Sequence, residues 1–68
     1  MDAMMETIKV LVMIVHLGGQ QYGIETWDAS HPEAMKDCQE LSLEIANINR
    51  VQVSCVYEVW PRRAWMAR

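Results

Sequence analysis

Between Thr7 and Leu17 nearly every residue is apolar, and the run ends at Gly18-Gly19. That pairing of features constrains the fold more than any other in the chain. A segment apolar on all sides has no helical stripe, and its β-branched Ile8, Val10, Val12, Ile14 and Val15 favour a strand. Two glycines in succession supply the positive φ that both central positions of a type I′ turn require. The segment therefore predicts a hairpin, with Tyr22 to Trp27 as the return strand. With the glycines as the turn, Val15 faces Tyr22, Met13 faces Ile24 and Leu11 faces Thr26. On the other face Ile14 meets Gly23, Val12 meets Glu25 and Val10 meets Trp27.

A helix follows. Ser30 is a suitable N-cap, Glu33 completes an S-x-x-E capping box, and Pro32 falls in the first turn, where a missing N–H costs nothing. Ala34, Cys38, Leu41, Ile45 and Ile48 recur at helical spacing, so they form the buried stripe. Leu43 lies on the outer side. Asn47 and Asn49 suit the exit, because Asn tolerates the left-handed conformation. From Arg50 to Trp60 the pattern alternates, with Val51, Val53, Cys55, Tyr57 and Val59 on one face. That is a strand, and Pro61 ends it because it cannot donate to a ladder.

The order is ββαβ, and strand directions place the third strand antiparallel to the first. The expected fold class is α+β: a three-stranded antiparallel sheet of order 2-1-3 with one helix packed on one face. Sixty-eight residues without a linker or repeat make one domain, and 51% hydrophobic content excludes disorder. A chain this short buries only ~60% of its unfolded surface, so a disulfide, metal or partner is expected to assist. Order is expected over about residues 7–60, with 1–6 and 62–68 flexible. The apolar run is about half of a membrane span of roughly 20 residues, and acids precede it, so neither a transmembrane helix nor a secretory signal is expected. The expected location is the cytoplasm.

Cys38 and Cys55 both fall on core-facing positions, which leaves two arrangements open: a pair of core thiols or a disulfide. With His16 and His31 they do not make a metal site, because no C-x2-C or H-x3-H spacing is present. No metal or cofactor is expected. There is no phosphate loop, nucleophile elbow or acid–base constellation, so no catalytic residue is assigned and the chain is expected not to be an enzyme.

Charge is divided unevenly. Residues 1–60 carry nine acids and three bases, while residues 61–68 carry Arg62, Arg63 and Arg68 and no acid. An acidic body disfavours nucleic acid as a partner, and three arginines neutralise at most about three phosphates. Glu33, Asp37, Glu40 and Glu44 form an acidic helix stripe, either a solvated face or a patch that steers a basic partner. Arg62, Arg63, Trp65 and Arg68 are candidate tail contacts, since Trp and Arg are enriched in binding hot spots.

One helix covers one side of three strands. The uncovered face is expected to present Val10, Val12, Ile14, Trp27, Val56 and Trp60 as interface candidates, met most simply by a second copy in a two-fold dimer.

In length, element order and charged tail, the chain resembles small proteins encoded by tailed bacteriophages, including the inhibitor of host RNA polymerase carried by T7-like phages. The likeness is one of architecture. It implies a viral protein of host takeover that acts in the host cytoplasm by binding a host protein, with Arg62 and Arg63 as loose counterparts of the family's charged contacts. The expected function is thus a non-enzymatic interaction module that binds and modulates a host protein or associates with itself. The alternatives are a small virion or assembly component and a weak nucleic-acid binder acting through the tail.

Overall fold

Gly18 and Gly19 take φ of 61° and 81°, so the diglycine makes the tight turn and the apolar run becomes the first arm of a hairpin. The computed structural model describes residues 6–66. Strand β1 spans Thr7–Leu17, β2 spans Gln20–Asp28, helix α1 spans Ala34–Asn49, β3 spans Gln52–Pro61, and a short helix α2 spans Arg62–Met66. The sheet is antiparallel with order β2-β1-β3, so the most apolar strand is central, as expected. Helix α1 packs on one face, mainly over β1 and β3.

The hairpin register departs from expectation halfway along. Pairing runs as predicted from Leu17↔Gln20 to Ile14↔Gly23, then shifts, so that Met13 faces Glu25, Val12 faces Thr26 and Leu11 faces Trp27. Ile24 is the extra residue of a β-bulge. The shift moves every later β2 side chain to the opposite face. Trp27, expected on the uncovered face, instead packs against the core beneath α1, while Ile24 is left 49% exposed. Burying an indole outweighs exposing one Ile side chain, which accounts for the direction of the slip. Gly23 accommodates it: a Cβ there would stand 3.3 Å from Val12 Cγ1.

The helix begins later than the capping box implies. Asp28 Oδ1 accepts both the Ser30 N–H (2.9 Å) and the Ser30 hydroxyl (2.7 Å), so Ser30 is held in a turn and is not the N-cap. A charged acceptor two residues upstream wins over a neutral cap. Pro32 therefore lies before the helix, His31 Nδ1 accepts the Glu33 N–H, and Glu33 is the N-cap without a side-chain capping bond. At the other end Arg50, not an asparagine, takes the left-handed conformation and donates its N–H to Ala46. Asn49 stays helical, its side-chain amide donating to the Ile45 carbonyl.

The core under α1 comprises Leu11, Met13, Ala34 and Cys38, flanked by Trp27, Met35, Leu41, Ile45, Val53 and Cys55. Ile48, the last residue of the expected stripe, is 74% exposed, and Ser42 is buried in its place on the helix's inner side. Cys38 and Cys55 form a disulfide with Cα atoms 6.3 Å apart, which ties the middle of α1 to the middle of β3. Closing a 17-residue separation contributes ~3 kcal/mol in the chain-entropy account. That is the assistance a core this small calls for.

Candidate functional site: the β3 edge and its groove

An α-helix rises 1.5 Å per residue and a strand about 3.3 Å, so the 16 residues of α1 are shorter than the 11 of β1. The helix therefore covers the middle of its face and leaves both ends open. Beyond one end lie Leu17, Tyr22 and Ile24, each about half exposed. Beyond the other lie Tyr57 (49% exposed) and Val59 (67% exposed), with Lys9 Nζ 4.4 Å from the centre of the Tyr57 ring. Tyr22, Ile24 and Tyr57 were expected beneath the helix. The helix's length leaves all three uncovered, and its lean towards β3 adds to the exposure of the two on β2.

Both outer strands offer unpaired backbone groups, but they differ. The β2 edge carries the bulge and ends in acids Glu25 and Asp28, features that discourage pairing. Ten-residue β3 pairs with β1 without a shift and holds one acid, Glu58. A groove of about 440 Å³ runs beside it, between Met35, Ser42 and Leu43 of α1 and Val53 and Cys55 of β3. Ser42 Oγ lies 3.2 Å from Cys55 Sγ and 3.9 Å from Cys38 Sγ. Ser42 escapes a sequence reading based on apolar periodicity, although it stands one turn after Cys38 on the same side.

The face away from α1 is not the open apolar surface expected of it. Val10 is 0% and Val12 4% exposed, and Ile14, Val56 and Trp60 are half-buried. Each valine of the central strand is flanked from both sides: Val10 by Asp28 and Glu58, Val12 by Thr26 and Val56. Trp60 is held on this face by donating its Nε1–H to Glu58 (2.8 Å), and Trp65 meets it edge-on at 6.4 Å. The tail segment Arg62–Met66, for which flexibility was expected, is thus a helical turn against the sheet, anchored by the Arg62 N–H to the Glu6 carbonyl and by an exposed Arg62–Glu6 ion pair at 3.4 Å. Arg63 is exposed; Arg68 and residues 1–5 lie outside the described residues.

The remaining candidates stay apart. Glu33, Asp37, Glu40 and Glu44 are all exposed along α1, with Lys36 Nζ 4.0 Å from Glu33. His16 Nε2 is 3.0 Å from Ser54 Oγ, and His31 serves the turn before α1. Among the described residues no group of three or more His, Cys, Asp or Glu is placed to hold a metal ion, and no helix is long and apolar enough to cross a membrane. A second groove, of about 340 Å³, joins Asp28 and Ser30 to Lys9 and Arg62. There the side-chain and backbone hydrogen bonds from Ser30, aided by the Arg62 charge, hold the Asp28 carboxyl below the usual Asp range against the opposing effect of desolvation. Set against protein-family models, curated proteins and solved structures, the chain matches none.

Proposed function

We propose that the protein is a non-enzymatic interaction module that works by strand addition at the β3 edge, with a second copy of the chain as its first partner. The observation that carries this reading is the exposure of Tyr57 and Val59 on a regular edge strand beside a groove. Added strands gain main-chain hydrogen bonds from the edge and specificity from alternate side chains. The register is self-complementary. An antiparallel β3–β3 pair with its two-fold axis at Val56 sets Tyr57 of each copy opposite Cys55 of the other, and Val59 opposite Val53. The two exposed side chains then lie against the groove, and Glu58 faces Ser54, so no like charges oppose each other. Covering those side chains contributes a few kcal/mol at ~25 cal/mol per Å2, before association costs.

Sedimentation equilibrium on wild type and Val59→Lys tests the reading. The expected result is a wild-type dimer and a monomeric variant with unchanged far-UV circular dichroism, because Val59 is two-thirds exposed. A wild type that stays monomeric at its solubility limit overturns self-association. A dimer that Val59→Lys leaves intact places the contact elsewhere.

A further inference from the structure

The two sulfurs of the disulfide are unequally placed. Cys38 is 0% exposed within the core, whereas Cys55 is partly exposed and lines the groove between α1 and β3. Thiol–disulfide exchange is an in-line displacement, so the attacking thiolate must approach one sulfur from the side opposite its partner. The groove opens on Cys55, while Cys38 lies within the core and does not line it. No comparable approach to Cys38 exists through the packed interior. We propose that Cys55 is a regiospecific thiol-exchange site for a low-molecular-weight thiol, with Cys38 as the leaving sulfur.

The step balances without an external oxidant. The thiolate RS⁻ bonds to Cys55 Sγ, the Cys38–Cys55 bond breaks, and its electron pair leaves on Cys38 Sγ. Charge then develops on a buried sulfur, which an apolar setting disfavours. Ser42 is the polar side chain placed to meet it: its hydroxyl lies within 4 Å of both sulfurs and can turn its hydrogen to Cys38 as the bond lengthens. A proton taken up from water completes the thiol. A second RS⁻ attacking the mixed disulfide at the small-molecule sulfur gives RSSR and the Cys55 thiolate. The device is redox-sensitive, since the bond that opens is the covalent tie between α1 and β3.

Glutathione supplies the probe. The oxidised protein is exposed to glutathione, quenched with iodoacetamide within the reaction's early phase, and mapped by mass spectrometry. Glutathione on Cys55 with carbamidomethyl on Cys38 is the expected pattern, in at least tenfold excess over the reverse. Equal labelling, or glutathione mainly on Cys38, overturns the assignment. Single-cysteine variants check it without the disulfide. The Cys55 thiol of Cys38→Ser should react with an aromatic disulfide at least tenfold faster than the Cys38 thiol of Cys55→Ser, and equal rates count against the proposal. Ser42→Ala should slow the first exchange step severalfold while leaving the site of attachment unchanged; an unaltered rate removes Ser42 from the step. Repeating the mapping on Val59→Lys ensures that a groove covered by a second copy does not hide the sulfur, so failure of this proposal and failure of self-association are told apart.

Discussion

The two faces of the sheet invert the usual expectation. The face that carries the helix leaves Tyr57, Val59 and Tyr22 in solvent, while the bare face closes over Val10 and Val12. The difference is one of position within the sheet. A side chain on the central strand is walled in by neighbours on both sides, and two tryptophans at one end of the bare face add bulk. A side chain on an edge strand has one neighbour, and it depends on a further covering group, such as a helix above it or a bulky side chain beside it, for the rest. Here α1 is too short to reach the ends. Strand position has outweighed the presence of a covering layer, and exposed apolar surface is concentrated at the edges, where strand addition operates.

The same substitution on each face gives the largest contrast. Val12→Glu places a carboxylate where 4% of the residue is exposed, whereas Val59→Glu places it at 67% exposure. The buried change should cost about 3 kcal/mol or more, enough to unfold a domain this small, and the exposed one about 0.5 kcal/mol or less. Urea denaturation of the two oxidised variants and wild type, at concentrations where the wild type is monomeric so that lost association does not enter, reads both numbers. Similar losses would dissolve the contrast between the faces and return the bare face to an open surface.

Much of this architecture is legible in the residues. The diglycine turn, the central position of the apolar run, the alternation in β3 and the meeting of Cys38 with Cys55 all follow from local patterns. The misreadings share a cause. The bulge at Ile24 reflects competition between Trp27 and Ile24 for one core position, and a two-residue alternation carries no record of such a contest. Asp28 takes the hydroxyl that a capping box would use, a contest between side chains decided by charge. Exposure at Tyr57 and Val59 depends on where a helix of fixed length comes to rest on a longer strand. The residue pattern marks the apolar positions of the face without a helix as interface candidates and passes over the exposure of Tyr57 and Val59. The signal that finds Tyr57 and Val59 is instead the difference in length between α1 and β3.

What closes the bare face can be separated from strand position by removing the tail's contribution. Trp65 stands edge-on to Trp60, and aromatic pairs in that arrangement contribute about 0.5–1.5 kcal/mol beyond the area they bury. Trp65→Ala should therefore lower stability by about 1–2 kcal/mol, a fall of several degrees in Tm for a domain of this size. The near-UV circular dichroism of the tryptophan pair should fall with it. If the variant keeps its Tm, α2 rests on the sheet without closing it, and the strand neighbours alone shield Val10 and Val12.

The smallest effect probes how dry the bare face is. Thr26 stands opposite Val12 on β1, and its Oγ1 is shut off from solvent with no hydrogen-bond partner. An unpaired buried hydroxyl forfeits its bonds to water, a penalty of about 1–3 kcal/mol that a methyl group of the same shape does not incur. Thr26 has this environment because the bulge brought it here; in the register without the bulge, Glu25 would oppose Val12. Thr26→Val should accordingly raise stability by about 1 kcal/mol, one of the few substitutions in this chain expected to do so, with the hairpin register unchanged by amide chemical shifts. A destabilised Thr26→Val would mean that the hydroxyl is hydrogen-bonded in solution, most simply to water that reaches Val12. The bare face would then be wet at its centre, and the comparison between the two faces would narrow from buried against exposed to a difference of degree.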